Sequence, residues 1–296
     1  MLPTHCTTQA GLPRRRMLPV FGLSIAIHES EGQGGPAVFC LHGNSHEASD
    51  FMQLLTGDLG RQVRVVAMDL PGHGSSSRAR NPDQACSMAG LIRVVCEVVK
   101  MLDLGPTVFV GHSLGGHILT RCAPELVGMV GLLLIGTPPL GSPPRFDLAF
   151  LPHASSGYLF QAHLSAAEIH QWAAAQERQC DSERLQHYED AIQHTDGRCR
   201  ESLGRSVGLH ESMQDECEIL RQLKVPVGLV LGEEDLFVNR EYCESVPLPN
   251  LWRGGVQLMA GSGHAPQMEV PEAFDAVLKV FMATCMLERG VSIWNV

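Results

Sequence analysis

Short, unbroken apolar runs recur at 37–41, 63–67, 107–110, 131–135, 226–231 and 255–259. Runs this brief, without polar alternation, belong to parallel strands covered on both faces. Helical periodicity fills the gaps between them. Ser87 precedes an apolar stripe at Met88, Leu91, Ile92, Val95, Val99 and Leu102, and Gly105 is expected to end that helix. Pro271 opens a last helix with Phe274, Val277, Leu278 and Phe281 on one face. Strands alternating with helices predict an α/β architecture, a mostly parallel, doubly wound sheet. Residues 20–28 are expected to add an antiparallel hairpin at its edge, for eight strands in all.

The alternation breaks between residues 140 and 213. Pro138, Pro139, Pro143 and Pro144 stop the strand ending at Ile135, and amphipathic helices follow instead of strands. Ser165 and Glu168 have capping-box spacing ahead of Ile169 and Trp172, and Leu185, Tyr188 and Ile192 mark a second helix. The expected organisation is a loose extension over 1–17, a core over 18–139, a helical cap over 140–213 and the rest of the core over 214–296. A cap excludes water and shapes a substrate pocket; the plainer reading is a helical decoration that touches no substrate.

Composition narrows the partners. A formal charge of −10 argues against nucleic acid or an anionic membrane, and 44% hydrophobic residues suit a packed domain. No apolar run approaches the roughly 20 residues of a membrane span, and the segment after Arg14-Arg15-Arg16 is too short and broken for a signal peptide. Ten cysteines occur without C-x-x-C pairs, and Cys40, Cys96 and Cys122 fall inside apolar elements. That spacing fits reduced thiols and a cytoplasmic protein. Fourteen histidines invite a metal, but His42 and His46 are separated by loop residues and no H-x-H-x-D-H cluster exists. Neither a metal nor a cofactor is expected.

The chemistry centres on Gly111-His112-Ser113-Leu114-Gly115, which follows an apolar strand and leads into a helix. A G-x-S-x-G turn of this kind lifts a serine to the apex, and its glycines clear space for the close backbone. Two later segments follow in the order such a site requires. Gly232-Glu233-Glu234-Asp235 ends one strand, and Gly261-Ser262-Gly263-His264 follows the next. Ser113 is the expected nucleophile, His264 its base and Asp235 the acid that orients the imidazole. Glu233 and Glu234 compete with Asp235. The loop His42-Gly43-Asn44-Ser45 follows another strand. Main-chain N–H groups of Asn44 and Leu114 are assigned to the oxyanion hole, so Asn44→Ala is expected to keep much of the activity. His42 and His73 read as structural loop residues, Glu269 as a loop anchor and His117 as a packed helix residue.

Together these segments resemble the α/β-hydrolase superfamily over roughly 20–283. More narrowly, the chain resembles the N-acyl-homoserine lactonase branch that uses a serine triad. That likeness rests on Glu29-Ser30-Glu31-Gly32, His42-Gly43-Asn44-Ser45, Gly111 to His117 and Gly136-Thr137-Pro138-Pro139. It continues in Thr195-Asp196-Gly197-Arg198, Asn250-Leu251-Trp252 and Gly263-His264-Ala265-Pro266. The resemblance implies ring opening of acyl-homoserine lactones through an acyl-enzyme. It also implies a small ester or lactone substrate with an apolar acyl tail. His112 and Trp172 are the expected substrate-binding residues, and Leu159, Phe160 and Leu164 are expected to join Trp172 in the acyl slot. A general carboxylesterase, a carbon–carbon bond hydrolase of the same fold and a non-enzymatic binder are the alternatives. Epoxide hydrolases and dehalogenases use a carboxylate nucleophile, and a serine at position 113 disfavours them.

Overall fold

A computed structural model describes residues 12–177, 181–208 and 214–287. The ends of the expected extension and final core segment, 1–11 and 288–296, lie outside the described residues, as do 178–180 and 209–213. The strands are β1 (Arg14–Val20), β2 (Leu23–Glu29), β3 (Gly34–Leu41), β4 (Val63–Met68), β5 (Thr107–His112), β6 (Met129–Ile135), β7 (Val227–Gly232) and β8 (Gln257–Met259). They form one sheet in the order β1-β2-β4-β3-β5-β6-β7-β8. β1–β2 and β2–β4 pair antiparallel, and every other pair is parallel.

The edge hairpin starts earlier than the sequence reading placed it. Arg14–Val20 pairs with Leu23–Glu29 across the two-residue turn Phe21-Gly22. Both turn residues have positive φ, 49° and 80°, the geometry whose twist matches that of the flanking strands. Residues 14–17 are therefore strand, which corrects the loose extension assigned to 1–17. Ser24, facing out, and the three arginines gave β1 and β2 an exposed character that hid the strand signal.

Among the described residues, seven α-helices of at least seven residues flank or cover the sheet. They are α1 (Met88–Leu102), α2 (Leu114–Cys122), α3 (Ala166–Ala174), α4 (Ser182–His194), α5 (Gly197–Gly208), α6 (Glu216–Gln222) and α7 (Pro271–Leu287). Strand alternation divides the core in two. Phe39 and Phe109 pack with α1 and α2 on one face, while Val38 and Val108 pack with α7 on the other. Each such fully buried side chain contributes roughly 2 kcal/mol of transfer free energy. Ser87 caps α1 by accepting from the Gly90 N–H at 3.2 Å. The helix ends at Leu102, where Asp103 takes φ 45°, so Gly105 at φ 67° lies just beyond the stop. The Ser165–Glu168 capping box is present at the start of α3.

Between β6 and β7 the chain leaves the sheet, and α3, α4 and α5 belong to this excursion. Its two ends meet. The Glu216 N–H donates to the Leu140 carbonyl at 2.8 Å, and the Leu140 N–H donates to Glu216 Oε2 at 3.0 Å. A disulfide joins Cys86, just before α1, to Cys199 on α5. This corrects the expectation of uniformly reduced thiols: partners 113 positions apart leave no spacing signature. Cys40, Cys96, Cys122, Cys217 and Cys243 are outside any disulfide. No described helix is long and apolar enough to cross a membrane.

The elbow glycines are required by close backbone approach. A Cβ at Gly111 would sit 2.5 Å from Gly116 Cα, and one at Gly115 would sit 2.2 Å from the Leu41 carbonyl oxygen. Gly115→Ala is therefore expected to lower stability by about 2 kcal/mol or more, since neither backbone has room to yield. Gly255→Ala, with nothing within 4 Å of the added carbon, serves as the near-neutral comparison. Urea midpoints of the two variants read the difference, and equal midpoints would refute it.

Candidate active site

Ser113 stands between β5 and α2 with φ 50° and ψ −118°. That conformation costs a non-glycine residue about 1–3 kcal/mol and persists only when its surroundings over-determine it. Here they do. The Ser113 N–H donates to the Ile135 carbonyl at 2.8 Å, and Thr137 Oγ1 donates to the Ser113 carbonyl at 3.1 Å. Leu114 opens α2, so its N–H precedes any intrahelical acceptor.

At the ends of β7 and β8 the acid and the histidine meet. Asp235 Oδ2 lies 2.8 Å from His264 Nδ1. Asp235 Oδ1 accepts the N–H groups of Phe237 and Val238 at 2.8 and 3.1 Å. Glu233 and Glu234 are turned to other work: their N–H groups donate to the Met259 and Ser262 carbonyls. Of the three acids, Asp235 is the one at the imidazole. Glu269 accepts the N–H groups of Gly263 and Ala265 and so fastens the histidine loop.

The His264 main chain is held from two more directions. Its N–H donates to the Gln176 carbonyl at 2.9 Å, and its carbonyl lies 3.0 Å from His112 Nε2. His112 is fully buried and forms no part of the cavity wall. This corrects its expected substrate contact: the ring braces the loop behind the imidazole instead. Burial first, then the neighbouring His264 and His46 rings, push the His112 pKa well below the ordinary histidine value. It is therefore neutral, with Nε2–H as the donor.

Ser113, Leu114, Asn44 and His264 border one cavity of about 500 Å³. The excursion supplies Leu159, Phe160, Trp172, Leu203 and Val207 to its wall. Leu164 does not reach it and packs beside Trp172 instead. The sequence reading missed Phe146, Phe150, Phe237 and Gln176, all on the wall. Phe146 and Phe150 carried a signal, an i,i+4 aromatic pair just after the proline stop. Asn44 also proves more than a main-chain donor. Its side-chain N–H donates to the Leu159 carbonyl at 2.7 Å, and Oδ1 accepts from Ser45 Oγ. These bonds tie the loop to the excursion, so Asn44→Ala is now expected to cost more than the sequence reading allowed.

The remaining histidines sort by their partners. His42 Nδ1 faces the Gly43 carbonyl at 2.7 Å, and Nε2 accepts from the Leu70 N–H at 3.0 Å, a neutral structural ring as expected. His46, Asp50 and His112 offer ligand-type atoms within 4.8 Å of one another. Asp50, however, is shared by His46 Nδ1 at 2.6 Å and His187 Nε2 at 3.0 Å. Burial alone would raise the Asp50 carboxyl, and these two imidazoles hold it far below the usual range.

This architecture has relatives. The chain belongs to the alpha/beta hydrolase family, whose model matches residues 38–277, and that membership makes it a hydrolase. Among solved structures, a mutant of N-acyl homoserine lactonase AidH complexed with N-hexanoyl homoserine lactone is similar. It is 31% identical, covers 92% of this chain and 98% of its own, and superposes with a TM-score of 0.84. The magnesium-chelatase 30 kDa subunit of Rhodobacter capsulatus is 32% identical over 134 residues, 43% of this chain and 45% of that protein. Protein phosphatase methylesterase 1 of Pongo abelii is 33% identical over 111 residues, 36% of this chain and 28% of its own. The chain thus matches less than half the length of these two curated relatives.

Buried neutral histidines make stability depend on pH. Burial pushes His73 down to about 3, so the unfolded chain takes up its proton first. The contribution is full above about pH 6.5 and is lost as pH falls toward 3. His187, raised by its bond to Asp50, works the other way and loses its contribution as pH rises. Between pH 6.5 and 5, His73 alone accounts for about 2 kcal/mol. Urea unfolding at the two pH values is expected to show a smaller drop for His73→Gln than for wild type. An unchanged drop would remove His73 from the account.

Proposed function

We propose that this hydrolase opens the ring of N-acyl-homoserine lactones through an acyl-enzyme on Ser113. One observation carries the reading: a serine held at a strained elbow shares an apolar cavity with a histidine whose Nδ1 lies 2.8 Å from Asp235. The likeness to a lactonase bound to N-hexanoyl homoserine lactone supports the choice of ester. A lactone is an ester locked in its less stable geometry, so acyl transfer to a serine suits it.

In this scheme Ser113 Oγ attacks the lactone carbonyl as His264 Nε2 takes its proton. Asp235 keeps the imidazole oriented and stabilises its charged form. Main-chain N–H groups of Asn44 and Leu114 receive the developing oxyanion, each worth roughly 3 kcal/mol. When the ring C–O bond breaks, His264 returns the proton to the leaving oxygen, which stays tethered within the acyl group. Water, deprotonated by His264, then attacks the acyl-enzyme and releases N-acyl-homoserine and free Ser113. Residues 140–213 act as the cap, with Trp172, Leu159 and Phe160 lining the slot for the tail. Trp172 reaches the cavity while 1% exposed, so its indole meets substrate in a nearly dry site.

Mass spectrometry of lactones with several acyl lengths tests the reading. Wild type is expected to produce the ring-opened acid, and Ser113→Ala to lose about 10⁴-fold or more in kcat. Of the alanine variants at 233, 234 and 235, the one at Asp235 is expected to fall furthest. A protein that cleaves p-nitrophenyl esters and leaves every lactone intact is a general esterase instead, the activity to which the partial methylesterase match points.

A further inference from the structure

A second histidine borders the same cavity and plays no part in the scheme above. His117 follows Ser113 by one turn of α2, and its N–H donates to the Ser113 carbonyl at 3.2 Å. Its Nδ1 lies 2.9 Å from Glu216 Oε2. Glu216 is fully enclosed, 1% exposed, and accepts from Arg121 Nε at 2.8 Å and from the Leu140 N–H at 3.0 Å. Burial would raise its carboxyl, and the facing His117 and Arg121 keep it lowered and ionised. An ionised carboxylate can only accept, so the His117 ring donates through Nδ1–H. Nε2, the remaining ring nitrogen, has no partner among the described residues and belongs to a residue on the cavity wall. Arg121 also borders the cavity, and its Nη2 has no acceptor among the described residues.

A carboxylate-braced imidazole is out of place in a slot built only for hydrocarbon. Around it the wall is Leu140, Phe146, Phe150 and Val207, with the Phe150 ring 6.3 Å from the His117 ring. His117 lies four residues beyond Ser113, and both border the cavity. In an acyl-homoserine lactone, the third carbon of the acyl chain lies about 6 Å from the ring carbonyl when extended.

We infer that His117 is a specificity residue whose Nε2 accepts a hydrogen bond from a hydroxyl on the third carbon of the acyl chain. The substrate class is then 3-hydroxyacyl-homoserine lactones, an assignment that rests on the lactone-opening reading above. A hydroxyl donates to the bare nitrogen, whereas a 3-oxo group offers only an acceptor and gains nothing there.

The test compares N-(3-hydroxyoctanoyl), N-octanoyl and N-(3-oxooctanoyl) homoserine lactones with wild type and His117→Leu. In wild type, kcat/KM for the hydroxy lactone is expected to exceed that for the plain one by about tenfold, with the oxo lactone near the plain one. In His117→Leu the hydroxy-to-plain ratio is expected to fall to about one. A ratio within one preparation is unaffected by any loss of folded enzyme. Equal wild-type rates for the hydroxy and plain lactones overturn the assignment, as does a preference for the oxo chain or a ratio that survives His117→Leu. Inhibition of p-nitrophenyl butyrate hydrolysis by the same lactones separates this idea from its foundation. Tenfold tighter inhibition by the hydroxy lactone without ring opening sinks the lactonase reading alone. Ring opening without discrimination sinks the His117 assignment alone.

Discussion

The grip on His264 is the constraint around which the site is arranged. An imidazole on a loop does not stay within hydrogen-bond reach of an acid by propensity. This one is held through its ring by Asp235, through its N–H by Gln176 and through its carbonyl by His112. Glu269 fastens the residues on either side. Three separate stretches of chain thus converge on one residue. His112 is the economical member of the set: it directly precedes Ser113, so the strand that raises the serine also steadies the histidine.

Glu216 plays the corresponding part for the other wall. Its carboxylate and N–H close the neck of the excursion on Leu140, and the same carboxylate reaches α2 through His117 and Arg121. A buried anion is costly unless fully paired, and here both oxygens are engaged. Its desolvation is offset only when neck and helix are both in place. This makes the group a poor source of net stability and a strong selector of one arrangement.

Much of this was legible in the amino-acid order. The parallel strands announced themselves as unbroken apolar runs, because both faces are covered. The elbow was readable because close backbone approach demands glycine at 111 and 115. Asp235 and His264 were placed by strand ends and chain order. What escaped notice depends on distant partners. Cys86 and Cys199 are separated by 113 positions, and His117 meets a carboxylate 99 residues further along. His112 looked like a wall residue because it adjoins Ser113, yet a strand residue beside an apex points into the layer behind it. The edge hairpin began early because outward-facing arginines masked its alternation.

The bond from the His264 N–H to the Gln176 carbonyl has a mechanical consequence. Gln176 lies just after α3, so the excursion that borders the cavity is stitched to the His264 backbone. Lifting the chain there would break this bond, and with it one of the three ties that position the imidazole.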